Sequence, residues 1–159
     1  MRITIICVGK IKEKYWTDAI AEYTKRLSRY VKLDIVEVKD EKTSENLSDT
    51  EEKLILFKEA ERIFRAIPVD SYICTLEIMG GQRSSEELAK EIKKLEINGK
   101  SHISFIIGGS LGLHEDIINR ADMHLSFSKM TFPHQMMRVV LLEQIYRAYK
   151  INSGEPYHK

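Results

Sequence analysis

Residues 102–120 read HISFIIGGSLGLHEDIINR. An apolar, β-branched run from His102 to Ile107 meets a glycine-rich turn, Gly108 to Gly112. A short helical stretch from His114 to Arg120 follows at once. A strand running through a tight glycine turn into a helix is the repeating step of parallel α/β sheets.

Working outward, the same alternation covers the chain. Toward the N-terminus, Ser84 and Glu87 form a capping box that opens a helix ending at Asn98-Gly99, a left-handed cap signal. Before it lies a strand from Ser71 to Ile78, expected to close at Gly80-Gly81. Ser48 and Glu51 repeat the capping pattern for a helix presenting Phe57, Ala60, Phe64 and Ile67 on one face and stopped by Pro68. Lys32 to Val38 alternates as a strand. Trp16, Ala19, Ile20, Tyr23, Leu27 and Tyr30 recur at helical spacing, and Arg2 to Val8 is a buried strand ended by Gly9. Toward the C-terminus come a strand from Met123 to Phe127, a polar loop, and a last helix over about 134 to 150. Ten alternating elements predict an α/β fold: a mostly parallel sheet with helices on both faces. No repeat or linker interrupts it, so one domain spanning 1–159 is expected.

A 159-residue chain can bury roughly 70% of its unfolded surface and needs no disulfides. Its two cysteines, Cys7 and Cys74, sit in apolar runs and read as small buried hydrophobes of a reduced, cytoplasmic protein. The apolar stretch in MRITIICVGK is too short for a signal segment or a membrane span. A net charge of +1 argues against gripping nucleic acid by bulk charge. Basic residues nevertheless gather at both ends: Arg2, Lys10, Lys12, Lys14, Lys25, Arg26, Arg29 and Lys32, then Lys129, Arg138, Arg147, Lys150 and Lys159. Should the ends meet, a phosphate-facing patch is possible; solvated helix faces explain the same residues.

In parallel sheets, ligands bind beyond the carboxyl ends of strands. Three loops there are candidates: Glu77–Arg83, Gly108–Leu113 and Phe127–Pro133. Gly108–Gly112 is neither a Walker loop nor a dinucleotide fingerprint, and alone it could be an ordinary turn. The loop FSKMTFP carries hydroxyls (Ser128 and Thr131, with Ser126 just before) and main-chain groups with no ladder to join. The last helix, with Met136, Met137, Val139, Val140, Leu141, Leu142, Ile145, Tyr146 and Tyr149, is apolar over more than half its circumference. It is either a central core helix or half of a contact with a second copy. Histidine and cysteine spacing gives no metal site, and no nucleophile elbow is present. The tail NSGEPYHK offers Tyr157, His158 and Lys159 near Arg147, residue types that stack on bases, exchange protons and contact phosphates.

The stretches IGGSLGL (107–113), LSFSKMTFPHQMMRVVLLEQIYRAYKI (125–151), the closing PYHK and the N-terminal ITIICVGKIKEKYW (3–16) together resemble the ribosomal RNA large-subunit methyltransferase H family, a small branch of the SPOUT class. The likeness runs the length of the chain and is weakest over 40–66. It implies a C-terminal trefoil knot and S-adenosyl-L-methionine held by Leu76, Gly108 and Phe127, Ser128, Lys129, Met130, Thr131 and Phe132. It also implies a homodimer acting on a pseudouridine of 23S rRNA within the assembled 70S ribosome, methylated at N3, with no metal and no membrane. On that chemistry His158 is the expected general base, with Tyr157 positioning the base to be methylated and Arg147 stabilising the developing anion or a phosphate.

Two other classes share parts of the pattern. A flavodoxin-like oxidoreductase would show bound flavin colour, and a non-catalytic ribosome-associated module would give no calorimetric heat with S-adenosylmethionine.

Overall fold

The computed structural model describes residues 1–159. The elements are β1 (Arg2–Val8), α1 (Lys14–Leu27), β2 (Lys32–Val38), α2 (Asp49–Ala66), β3 (Tyr72–Gln82), α3 (Ser85–Ile97), β4 (His102–Ile107), α4 (Glu115–Arg120), β5 (Met123–Ser126) and α5 (His134–Asn152). The five strands form one sheet in the order β2-β1-β4-β3-β5, and every neighbouring pair is parallel. All carboxyl ends therefore face one rim.

Side-chain alternation sends successive residues to opposite faces. Ile3, Ile5, Cys7, Ile103, Phe105 and Ile107 pack in a cluster of 20 buried residues with Leu27, Leu88, Ile92, Leu141 and Ile145. Ile6, Val8, Ile73 and Ile106 join a cluster of 7 with Ala60, Ile63 and Ile117. Helices α1, α3 and α5 thus cover one face, and α2 and α4 the other. Each fully buried Ile or Leu contributes about 1.5–3 kcal/mol of transfer free energy.

The ends of the elements follow local chemistry. Ser84 and Glu87 make the full reciprocal capping box of α3, whereas Ser48 accepts only from the Glu51 amide at the start of α2. Helix α1 stops at Leu27, three residues before Tyr30, because residues 28–30 tighten into a turn. Strand β5 ends at Ser126, and α5 runs on to Asn152.

Two expectations change. The third strand does not close at Gly80-Gly81 but continues to Gln82. Its register breaks between Leu76 and Gly81, which both align with Leu125, so residues 77–80 bulge out of the ladder. A Cβ at Gly80 would lie 2.9 Å from the main-chain carbons of His124 and Leu125. Glycine stands there because two backbones pass too closely for any side chain. The α2 face also differs: Ala60 and Ile63 are buried against the sheet, while Phe57 and Phe64 are exposed. Small Ala60 sets the close approach, and Phe57 leans edge-on against His114 instead.

Helix α5 lies between α1 and α3, and none of its residues is fully exposed. These intramolecular partners account for much of its apolar circumference, leaving Met136, Val139, Val140 and Tyr146 half-buried.

Candidate active site

Three loops converge on the carboxyl rim around a cavity of about 370 Å³. One wall is Leu76 through Met79, where the chain leaves β3. A second is Gly108, Gly109, Ser110 and Gly112. The third is Phe127, Ser128, Met130, Thr131 and Phe132, with His134 and Met137 of α5 behind it. Seven of the eight residues expected from sequence to hold a cofactor line this space. Lys129 does not; its side chain faces solvent, so only its backbone could contribute.

The loops are shaped by short-range demands. A Cβ on Gly108 would sit 2.4 Å from the Gly112 carbonyl oxygen, so the turn can fold back on itself only around glycine. Gly112 takes φ +83°, a left-handed conformation that glycine adopts without strain. The buried hydroxyl of Ser126 lies 2.9 Å from the Ile78 carbonyl and 3.2 Å from that of Ser128, clasping two loops together. Within 127–132 the Met130 amide is the only main-chain donor that finds an intramolecular acceptor, the Ser128 hydroxyl at 3.0 Å. The remaining amides have no acceptor within the protein and must be met by water or a ligand.

Charge around the cavity is sparse. Glu77 is the one formally charged side chain on its wall. Its carboxylate is held by the Thr75 hydroxyl and by His124 Nδ1 at 2.6 Å. His134 presents a neutral ring: burial, then the nearby Arg138 charge, holds its pKa below the ordinary value. Its Nδ1 is buried without a hydrogen-bond partner.

The expected catalytic trio comes together, but not at this cavity. Arg147 grips Glu143 through Nε and Nη2 at 3.0 and 2.6 Å, and the Tyr157 hydroxyl donates to the same carboxylate oxygen at 3.1 Å. Burial and the Glu143 charge push the Tyr157 phenol up to about 12, so it remains a donor. Arg147 also lies 3.2 Å from His158 Nδ1, and Nε2 lies 2.8 Å from Glu86. Because a guanidinium only donates, Nδ1 must be the acceptor and Nε2 carries the proton toward Glu86. That hydrogen bond, after one from its own main chain, holds Glu86 below the usual carboxylate range. None of the three residues lines the cavity. Along α5, Arg147 follows His134 by 13 positions, or about 20 Å at 1.5 Å per residue.

Sequence reading missed three residues. His134 had a visible signal, a histidine directly after a helix-starting proline. Arg138 had one in its spacing, four residues beyond that histidine on the same helix. Glu77 was reached only as the first residue of a candidate loop, because its pairing with His124 depends on the register of β3 against β5. The two basic ends do meet: Arg138 donates to the Val8 and Gly9 carbonyls, and Arg26 lies over the Tyr146 ring.

Comparison with known proteins finds relatives over the whole chain. A family described as "Predicted SPOUT methyltransferase" matches residues 1–158. A ribosomal RNA large subunit methyltransferase H of Bifidobacterium adolescentis is 64% identical over 159 residues, covering all of both chains. One of the same name from Clostridium novyi is 60% identical with the same coverage. Among solved structures, the tRNA (m1G37) methyltransferase from Aquifex aeolicus superposes with a TM-score of 0.51 at 12% identity, over 92% of this chain and 70% of that one. At that identity the likeness concerns fold alone.

Proposed function

Since the chain belongs to the SPOUT methyltransferase family, we propose that it transfers a methyl group from S-adenosyl-L-methionine to N3 of a pseudouridine in 23S rRNA. In this reading the substrate is the assembled 70S ribosome, the enzyme is a cytoplasmic homodimer, and residues 1–159 form one domain with a C-terminal trefoil knot. The observation that carries it is the convergence of three loops, with free main-chain amides, on one cavity beyond the parallel strands.

The residues present suit the cofactor. The cavity lies within the size range of small-molecule sites. Its Leu, Ile, Met and Phe lining suits an adenine ring, and free amides suit adenine and ribose acceptors. Glu77 supplies the single negative charge that a cationic sulfonium favours. When bound, that sulfonium supplies an electrophilic methyl group; the protein's task is alignment and proton removal.

N3 of the base carries a proton between two carbonyls and must lose it before its lone pair can attack. His158 takes that proton, for about 10²–10⁴-fold in rate. In the resting arrangement its only lone pair, on Nδ1, is occupied by Arg147. Substrate entry must therefore draw Arg147 away, toward the imide oxygen or a phosphate, and so free the base. Tyr157, its one hydroxyl proton committed to Glu143, orients the uracil ring by packing and by its hydroxyl oxygen as an acceptor. The trio's distance from the His134 wall of its own cavity supports completion of the site by a partner's tail. Half-buried Met136, Val139 and Val140 on α5 fit the contact this requires.

Calorimetry with S-adenosylmethionine, followed by methyl transfer to 70S ribosomes, tests the reading. Saturable binding and one methyl group per ribosome are expected. Absence of binding heat, with no methyl incorporated, overturns it.

A further inference from the structure

The loop between β1 and α1 is anchored far more firmly than an exposed connection requires. The Gly9 amide donates to the Val38 carbonyl at 2.8 Å. Arg138 Nη2 donates to the carbonyls of Val8 and Gly9 at 3.2 and 2.7 Å. The Ile11 amide donates to Glu37 at 3.0 Å, and the same carboxylate oxygen accepts from Arg138 Nη1 at 2.7 Å. The Ile11 side chain is buried at 7% exposure. Strand β2 and helix α5 thus hold the loop from two sides.

What this scaffold leaves outward is basic. Lys10 and Lys12 are exposed, and neither makes a salt bridge, although Glu13 follows and Asp40 lies beside Gly9. Lys14 is engaged with Asp18, and Tyr15 stands 66% exposed at the start of α1. The loop lies at the carboxyl end of β1, on the same rim as the cavity. Its Gly9 abuts His134, whose Cε1 lies 3.7 Å from where a Cβ would stand. His134 in turn forms part of the cavity wall.

We propose that this loop is a preorganised contact for the ribosomal RNA backbone: Lys10 and Lys12 bind phosphates, and Tyr15 offers a stacking face beside them. The inference rests on the rRNA methyltransferase reading above and adds where the polyanion runs. Fixed lysines contact phosphate without first ordering the backbone that carries them. Their placement gives a nearly neutral chain local positive charge where the reacting nucleotide must enter. The single buried arginine at the start of α5 then connects the two halves of the site: it sets the loop while its helix carries the cavity wall.

The test compares wild type with a Lys10→Ala/Lys12→Ala double variant, using 70S ribosomes and deproteinised 23S rRNA as probes. KM for ribosomes is expected to rise about tenfold at physiological salt, with kcat within about twofold and S-adenosylmethionine affinity unchanged. The slope of log affinity for rRNA against log salt should fall by about 1.5, from two lost phosphate contacts. A Lys10→Arg/Lys12→Arg variant should restore both values. An unchanged KM and salt slope overturns the proposal while the methyltransferase reading stands. Weakened ribosome binding with unchanged rRNA binding assigns the loop to a ribosomal protein and equally overturns it. Wild type that neither binds S-adenosylmethionine nor methylates ribosomes defeats the underlying reading instead.

Discussion

The guanidinium of Arg138 donates to the carbonyl of Gly9 across 129 positions of sequence, joining the second turn of α5 to the end of the first strand. At 2% exposure, with Glu37 as its carboxylate partner, it is a buried charge with a defined structural task. Arg138→Met removes it, taking the guanidinium from two carbonyls and leaving Glu37 with only the Ile11 amide as donor. Unfolding free energy from urea titration should fall by about 3 kcal/mol. Arg138→Lys keeps the charge but not the fork, and should recover only part of the loss.

The neutral tautomer of His158 implies a catalytic split. His158→Ala should lower turnover on ribosomes by about 10²–10⁴-fold while leaving S-adenosylmethionine affinity within about twofold. Equal losses in calorimetric affinity and in kcat would count against a base and for a structural role.

Glycine at position 108 is a steric requirement, given the 2.4 Å approach of a notional Cβ to the Gly112 oxygen. Gly108→Ala must push two backbone segments apart. It should cut cofactor affinity at least tenfold and lower the melting temperature, whereas Gly112→Ala, with open space around it, should cost about 1 kcal/mol through φ alone.

Stability should weaken on mild acidification. His102 and His134 are both held below the ordinary 6.5, burial being the first cause in each. The unfolded chain then binds protons that the native state does not. This contribution is complete above pH 6.5 and is lost as pH falls toward the depressed native values. Glu41, Glu86 and Glu155, held below 4.5, lose theirs only at lower pH. Urea midpoints should therefore drop between pH 7 and 5, and a His102→Gln/His134→Gln variant should flatten that segment.

Both thiols are buried, and burial pushes Cys7 up to about 12 and Cys74 upward as well. A thiol-reactive chromophore should label neither in native protein within minutes and both in denaturant.

Much of this molecule is legible in its sequence because its signals are local. Capping serines, the left-handed Gly99 and period-two runs such as Ile3–Val8 each fix an element without reference to the rest of the chain. The three candidate loops follow from parallel topology, since every strand must end on one rim. What escaped depends on long-range register. The continuation of β3 past Gly80-Gly81 arises from pairing with β5, and Glu77 meets His124 only through that pairing. The buried face of α2 turned on Ala60, a residue whose small size carries little hydrophobic signal but permits the closest approach. For α5, counting apolar positions could not separate burial between α1 and α3 from burial against a second copy.

The central claim is that the turns following β3, β4 and β5 together hold the adenosyl group. A crystal soaked with S-adenosyl-L-methionine tests it most directly. Density enclosed by Leu76, Gly108 and residues 127–132, contacting their main-chain groups, is the result predicted. Density at any other place, or contact with one of the three turns alone, would contradict the account.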